Sequence, residues 1–387
     1  MTLTVDALIV GAGVAGSALA HALARAGWSV LAADKASFPR HKACGEFLSP
    51  EAVRILRSLS LEAAVRDAEP ALIRTARLHA ERGGTLEIPL PEPALGVSRR
   101  ALDAALQQAA REAGATVRTG CLVTEIREQD GCFQAELGAD KEPVRARTVI
   151  GAWGRTPQWP VLNTAGAPEK KASRGRIGVK AHWAVAADAA ANAAEAPAVD
   201  LYFFRGGYVG FADVGGGKLN VAALLPEPAH GNGPGKADLA RIVARAAERV
   251  PLLRQRLAGA SFVPGTFAGA FPVIPRRRVR AWYGGLPLVG DAAAVIHPLC
   301  GDGIAMALRG AELCAPLADL HLRRIISREE WRRSYTAQLE RSLAPALRWG
   351  DRLARWMDMP WAAASLLRTG AHMPGAAAHL FRLTRVR

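Results

Sequence analysis

The chain has 387 residues and half of them are hydrophobic, enough for about two to three structural units around a sizeable core. This composition excludes disorder as the default. Lysine and arginine outnumber aspartate and glutamate by 50 to 35, which favours contact with anionic cofactors, nucleic acid or membrane surfaces.

The first predicted elements are a strand, a glycine-rich turn, a helix and a second strand. The apolar run at residues 6–10 precedes the turn GAGVAG at residues 11–16, and an alanine-rich helical stretch continues to about Arg25. A second apolar run at residues 28–33 ends at Asp34, 23 positions after the first glycine. This order and spacing predict a dinucleotide-binding unit of the Rossmann type.

Each residue of this motif has a chemical reason. Gly11 allows a tight turn, Gly13 lets backbone amides approach a pyrophosphate, and Gly16 allows the helix and strand to pack closely. The N-terminus of the helix offers unpaired amides and the positive end of its dipole to the phosphates. Asp34 is placed to accept hydrogen bonds from a ribose diol.

The middle of the chain predicts a second sheet. Short β-rich runs between Ile177 and Leu225 read as antiparallel strands, and residues 261–273 continue them. An alanine-rich insertion at residues 186–198 separates two of the runs. Since side chains alternate along a strand, about half of the aromatic residues of this sheet are expected to face a pocket.

A second glycine-containing region lies far downstream. A short apolar strand near Pro287 is followed by Gly290 and Asp291, and Gly301 and Gly303 open a long helix. An aspartate just after a strand can accept hydrogen bonds from sugar-like hydroxyls, and the helix dipole could face the electron-rich edge of a flavin. This region therefore favours FAD over NAD.

The tail beyond Leu320 is helical in pattern and carries Trp356, Met357, Met359 and Trp361, followed by spaced arginines. Two interpretations stay open. An amphipathic basic segment can lie on an anionic membrane, whereas an apolar helical stripe can also close the pocket as a cap. The cap is the preferred interpretation.

Several ordered motifs together resemble the FAD-dependent superfamily of aromatic hydroxylases (p-hydroxybenzoate hydroxylase-like), geranylgeranyl reductases and flavin-dependent halogenases. They are Gly11, Gly13 and Gly16 with Asp34, Arg99 with Leu102 and Asp103, Gly290 with Asp291, and Pro298 with Gly301 and Gly303. The resemblance implies an α/β (α+β) fold with a Rossmann-type FAD-binding domain, a second antiparallel-sheet substrate domain and a helical C-terminal region.

The resemblance also implies how the chain divides. The expected segments are 1–75, 99–175 and 273–325 for FAD binding, 76–98 and 176–272 for the substrate domain, and 326–387 for the C-terminal helical region. In such an arrangement the second sheet covers the flavin. Tyr208 and Phe211 are then the candidates for the substrate pocket.

Residue by residue, the resemblance implies that Asp34 binds the adenosine ribose and that Arg99 lies along the cofactor. It places Val123 near the adenine and Asp291 on the ribityl chain. The other cofactor-binding candidates are Lys35, Arg40, Gly290, Pro298, Gly301 and Gly303, with the three glycines of the first motif.

Two residues are candidates for catalysis. Cys44 lies in a KACG element similar to that of geranylgeranyl reductases, where a thiol near the ring could donate a proton or gate the flavin. The alternative is a small residue that fills a packed loop. His297 could donate a proton or a hydrogen bond near the ring, or it could satisfy loop carbonyls.

Departures from the superfamily patterns bear on the reaction. Trp153 stands where relatives usually carry an aspartate, residues 48–137 contain no lysine of the kind halogenases need, and the stretch from Tyr208 to Phe211 departs from the reductase pattern. Monooxygenation of a lipophilic or aromatic small molecule needs no obligatory side-chain nucleophile and is preferred. Reduction of a carbon–carbon double bond is the alternative, ahead of halogenation or non-catalytic flavin binding.

The chain has no second GxGxxG motif, so electrons are expected from transiently bound NAD(P)H or from a partner flavin or ferredoxin reductase. The five cysteines form no CxxC pair and predict neither a disulfide scaffold nor a metal site. Without a signal-peptide pattern or a spanning apolar run, a cytoplasmic protein with at most peripheral membrane contact is expected. The basic cluster at residues 276–280 lacks interleaved aromatics, so no nucleic-acid partner is expected.

Overall fold

The structure is a computed structural model that describes residues 2–155, 176–185, 198–226, 236–273 and 278–386. The alanine-rich insertion, apart from Ala198, lies outside these residues, as do Arg276 and Arg277.

Strands make up two large sheets and one small one. In chain order they are β1 (Leu3–Val10), β2 (Val30–Asp34), β3 (Phe47–Leu48), β4 (Ala71–Ala80), β5 (Thr85–Gly96), β6 (Thr116–Thr119), β7 (Val123–Gln129), β8 (Cys132–Leu137), β9 (Glu142–Gly151), β10 (Arg176–Ala184), β11 (Ala198–Phe204), β12 (Gly207–Asp213), β13 (Lys218–Pro226), β14 (Ser261–Phe262), β15 (Ala268–Val273), β16 (Trp282–Tyr283) and β17 (Leu286–Pro287).

Helices cover the sheets and form the end of the chain. In chain order they are α1 (Val14–Arg25), α2 (Pro50–Ser58), α3 (Glu62–Arg66), α4 (Arg99–Glu112), α5 (Lys236–Arg249), α6 (Pro251–Leu257), α7 (Gly303–Leu322), α8 (Arg328–Met357), α9 (Pro360–His372) and α10 (Pro374–Leu383).

The first sheet has six strands in the order β6-β2-β1-β9-β8-β7. Strands β6, β2, β1 and β9 are parallel, and β7 to β9 run antiparallel at one edge. The apolar end of β1 is buried because it lies in the centre of the sheet with α1, α4 and α7 packed nearby, as expected for a central strand of a Rossmann-type sheet. The turn after β1 therefore opens at the carboxyl end of the sheet, where such folds bind ligands.

The second sheet has nine strands and includes β4 and β5 as well as the predicted strands from β10 onward. Its strands are mostly antiparallel, with β11 and β4 paired in parallel. Alternation along β11 sends Tyr202 to the face covered by α5 and α6 and Phe203 to the opposite face. That opposite face packs against α9 and α10, which contribute Ala363, Leu367 and Ala377 to its core.

The predicted fold class is confirmed: a Rossmann-type unit, a second, largely antiparallel sheet and a helical C-terminal region. Helix α8 begins at a capping box in which Ser327 and Glu330 satisfy each other's backbone amides. Among the described residues, no helix combines the length and apolarity needed to cross a membrane.

Candidate functional site

A cavity of about 630 Å³ lies between the two sheets and the C-terminal helices. One end is formed by the glycine-rich turn and the other by apolar side chains of the second sheet and of α9 and α10. Its size is within the range of ligand pockets. The site therefore has a polar end and an apolar end.

The glycine-rich turn forms a cradle that side chains would fill. Gly11 has φ +113°, and a Cβ there would lie 2.4 Å from the carbonyl oxygen of Ala152. A Cβ at Gly16 would lie 1.9 Å from the carbonyl oxygen of Gly11, so Gly16 serves the close packing of α1 and does not line the cavity. Gly13 precedes α1 without a side-chain cap, and it lines the cavity with Val14. The first amides of α1 thus fit a pyrophosphate.

Asp34 ends β2 at the rim of the cavity. Its two carboxylate oxygens accept hydrogen bonds from the backbone amides of Ala12 and Ala36, each at 2.9 Å. These bonds hold the carboxylate beside the glycine turn and leave further lone pairs for a ligand. The arrangement fits a ribose diol.

Arg99, at the start of α4, lines the cavity and is held by Asp103 one turn later at 3.0 Å. Burial opposes the charge of Arg99, but the carboxylate of the fully buried Asp103 outweighs it and raises the pKa of Arg99. Lys42 also contacts Asp103, at 2.7 Å, and lines the cavity. Lys42 was not predicted, because nothing in its local sequence indicates its partner 61 positions away.

The downstream loop meets the glycine turn. A Cβ on Gly290 (φ +64°) would lie 2.9 Å from the Cβ of Ala15, so the loop can approach α1 closely. Asp291 lines the cavity and pairs with Arg155, Nε to Oδ2, at 2.9 Å. Gly303, the first residue of α7, also lines it, and a Cβ there would meet nothing within 4 Å.

Asp302, just before α7, ties three parts of the chain together. Its buried carboxylate accepts hydrogen bonds from the Ser49 hydroxyl at 2.6 Å and from the Val386 amide at 2.8 Å. Arg385 lies 3.6 Å from the same carboxylate and lines the cavity. The end of the described chain thus braces the loop that opens α7.

The remaining predicted residues are placed as follows. Val123 and Pro298 line the cavity, as do the exposed Lys35 and Arg40, whereas His297 does not. Instead, Nδ1 of His297 accepts the Leu299 amide at 3.3 Å and caps a short 3-10 helix. Burial lowers the pKa of His297 to about 4, so the ring is neutral near pH 7.

Cys44 lines the cavity and is half-buried. Its sulfur accepts the Glu46 amide at 3.3 Å, and the side chain of Asn220 donates to the Cys44 carbonyl at 3.1 Å. Arg99, which also lines the cavity, and the buried Lys180 are electrostatic neighbours of Cys44. Cys44 is therefore a protic side chain at the cavity wall, near two cations.

A buried charged cluster behind Cys44 was missed by the sequence analysis. Glu46 accepts from Lys180 at 2.9 Å and lies 2.6 Å from Nε2 of His182, and all three side chains are buried. Lys180 and His182 are two residues apart on β10, so they share one face of the strand. That alternation is visible in the sequence, but the partner Glu46 lies 134 residues away.

Burial opposes the charge of Glu46, but the hydrogen bond from His182 and the charge of Lys180 outweigh it and lower the pKa of Glu46. Burial and the nearby Lys180 also lower the pKa of His41 to about 4. His41, Glu46 and His182 are near enough to one another to ligate a metal ion, yet the Lys180 ammonium lies 2.9–3.1 Å from each. A lysine ammonium thus holds the position that a cation would take.

The apolar end of the cavity includes Tyr208 and Phe211, the two residues predicted for the substrate pocket. Tyr208 lies beside Phe203 on the cavity face, and burial raises its pKa. Phe211 borders the cavity, while its ring packs in the core between the second sheet and α5 and α6. Trp153 also lines the cavity, close against Gly151.

Comparison with known proteins identifies the family of the chain. The family described as FAD binding domain matches residues 4–202, more than half of the chain. Menaquinone reductase of Mycolicibacterium smegmatis is 30% identical over 334 residues, or 82% of this chain and 77% of that protein. Digeranylgeranylglycerophospholipid reductase 2 of Methanopyrus kandleri is 31% identical over 314 residues, or 78% of this chain and 74% of that protein.

Among solved structures, a flavin-dependent brominase superposes with a TM-score of 0.79 at 18% identity, over 98% of this chain and 93% of that one. At this identity the likeness shows a shared fold and nothing of the reaction.

Proposed function

Because the chain belongs to the FAD binding domain family and is an FAD-dependent oxidoreductase, we propose that it reduces a carbon–carbon double bond in the prenyl chain of a lipid. The observation that carries this proposal is a single cavity with a dinucleotide cradle and a thiol at one end and a long apolar wall at the other. Such a cavity suits a substrate with a long hydrocarbon chain.

The residues that would hold the cofactor are the glycine turn, Asp34, Arg99 and the loop from Gly290 to Gly303. When bound, a reduced FAD supplies the hydride that a double-bond reduction requires. NAD(P)H or a partner reductase would restore the electrons.

The chain itself supplies the proton. Reduction adds one hydride and one proton to neighbouring carbons, and Cys44 is a protic side chain at the cavity wall. When its Sγ gives up the proton to carbon, a thiolate remains, which must regain a proton before the next turnover. Cys300 also lines the cavity, but burial raises its pKa to about 12, which makes it a poorer acid.

The apolar walls exclude water and orient the chain of the substrate. Leu78, Leu86 and Phe203 of the second sheet face Leu367 and Phe381 of the C-terminal helices across the cavity. The two relatives named above, reductases of menaquinone and of a geranylgeranyl lipid, act on prenylated compounds, which supports the same substrate class. The sequence alone favoured monooxygenation; the cavity thiol and these relatives favour reduction.

The test is anaerobic turnover of the flavin-loaded protein with a reduced dye as electron donor and prenyl lipids as substrates. We expect products heavier by two hydrogens, formed without oxygen. Products that require oxygen and carry an added oxygen atom would overturn the proposal in favour of monooxygenation.

Cys44→Ala should retain flavin absorbance and lose most of the turnover, since general-acid catalysis contributes about 10²- to 10⁴-fold. Cys132→Ala is the matched control, because Cys132 is also half-buried but does not line the cavity. Equal turnover by the two variants would remove Cys44 from the mechanism.

A further inference from the structure

The C-terminal helices expose an unusual number of large apolar side chains. Seven large hydrophobic side chains are exposed among the described residues, and four of them lie between positions 356 and 373. They are Trp356 (46% exposed), Met359 (37%), Trp361 (64%) and Met373 (55%), here called the Trp–Met surface. Single exposed apolar residues are normal, but such a concentration on one part of a chain indicates a contact surface.

This surface spans helix α9. Trp356, Met359 and Trp361 lie at the corner where α8 ends and α9 begins, and Met373 follows the other end of α9. A helix of 13 residues is about 20 Å long. Exposed apolar groups at both ends suit a helix that lies flat on another surface.

The cavity opens at the same place. Thr369, Met373 and Ala376 line the cavity and are also exposed, so the apolar end of the cavity reaches the protein surface between α9 and α10. Met373 belongs to both the opening and the Trp–Met surface. A molecule that leaves the contact surface therefore meets the apolar end of the cavity directly.

The charge of this region indicates what the surface contacts. After Asp358 the remaining 29 residues contain four arginines and no aspartate or glutamate. Arg368 and Arg382 are exposed on α9 and α10, and Arg352 and Arg355 are exposed on the last turns of α8. Tryptophan with surrounding arginine is the composition that favours the interface of an anionic bilayer.

We propose that the Trp–Met surface docks the protein on anionic lipid bilayers and that prenyl-lipid substrates pass from the bilayer into the cavity between α9 and α10. The second half of this inference rests on the proposed function; the first half does not.

The test is co-sedimentation of the flavin-loaded protein with vesicles of phosphatidylcholine alone or mixed with phosphatidylglycerol. We expect binding to the anionic vesicles that weakens with salt. The triple variant Trp356→Ser, Met359→Ser and Trp361→Ser, whose three residues belong to the surface but do not line the cavity, should bind roughly tenfold or more weakly. Ile325→Ser, at an equally exposed site (64%) outside the surface, is the matched control and should bind as the unaltered protein does.

Flavin absorbance shows whether each variant is folded. Unaltered protein that ignores anionic vesicles, or a triple variant that is folded and binds them undiminished, would overturn the proposal. Self-association through the same residues, seen by sedimentation velocity without vesicles and lost in the triple variant, would also overturn it, since the surface would then be a subunit contact.

Turnover separates this proposal from the proposed function. With substrate dispersed in detergent, the triple variant should keep its rate, whereas with substrate in anionic vesicles its rate should fall. Vesicle binding without any double-bond reduction would refute the proposed function and leave the docking surface standing. Equal rates of the triple variant and the unaltered protein on vesicle substrate would refute delivery from the bilayer.

Discussion

Replacing Lys180 by methionine keeps a side chain of similar length but removes the ammonium that pairs with Glu46. In the unaltered protein this ammonium lies 2.9 Å from Glu46 Oε1, 2.9 Å from His182 Nε2 and 3.1 Å from His41 Nδ1. Both members of the ion pair are fully buried. Removing one member of a buried pair leaves an uncompensated charge and costs about 3–5 kcal/mol.

The cost depends on pH. In the unaltered protein the pKa of Glu46 is below its ordinary value of 4.5, so its contribution to stability is present above pH 4.5 and is lost as the pH falls below it. Burial by itself raises the pKa of Glu46, and the positive charge of Lys180 counteracts this effect. Without Lys180 the pKa of Glu46 therefore rises. The folded variant then retains a proton at Glu46 to higher pH, so its deficit in the free energy of unfolding grows with increasing pH.

Urea unfolding of Lys180→Met and the unaltered protein at pH 5.5 and pH 8, both with saturating FAD, measures this deficit. We expect a larger deficit at pH 8. The double variant Glu46→Gln with Lys180→Met should regain part of the loss, because no buried charge is then left unpaired. A deficit below about 1 kcal/mol at both pH values would refute the assignment of a buried ion pair.

Three further predictions follow from the site. Asp291→Ala should lower FAD affinity, measured by flavin fluorescence titration, whereas Arg155→Ala should not. An equal loss of affinity in the two variants would mean that FAD binding needs the Arg155–Asp291 ion pair and not the Asp291 carboxylate alone. Gly16→Ala should yield no flavin-containing folded protein because its Cβ would lie 1.9 Å from a backbone oxygen, while Gly375→Ala, with nothing within 4 Å, should express normally. Because the folded protein keeps the His297 ring neutral, its free energy of unfolding should fall by up to about 3 kcal/mol as the pH drops from 6.5 toward 4. In His297→Asn this part of the pH dependence, measured by urea unfolding, should be absent. An unchanged pH dependence would show that His297 has an ordinary pKa.

Local pattern was enough to predict the fold class and the cofactor. The spacing from Gly11 to Asp34 describes one continuous strand, turn and helix, so its geometry follows from neighbouring residues. The downstream Gly290 and Gly303 indicated a second cofactor-binding region, and the family match confirms that the cofactor is FAD. Which electron donor serves it stays a prediction.

Contacts between distant residues could not be predicted in the same way. In the sequence Lys180 is a single charged residue within a predicted strand, and its buried partner Glu46 lies 134 positions away. His297 had two interpretations because its position beside Pro298 does not show which way the ring turns. Residue types and spacing describe the elements, whereas the pairing of buried charges depends on how those elements meet.

The contact between Asp302 and Val386 has a consequence for biosynthesis. The loop that opens α7 receives one of its hydrogen-bond donors from a residue 84 positions later, after all of α7 to α10 has been made. During translation β1, the glycine turn and α1 emerge first and Ser49 is soon available to Asp302, yet the Val386 amide is missing until residue 386 has left the ribosome. Stable capture of the flavin is therefore expected only once residue 386 has emerged, and an insertion next to Val386 would disturb the loop more than one before β1.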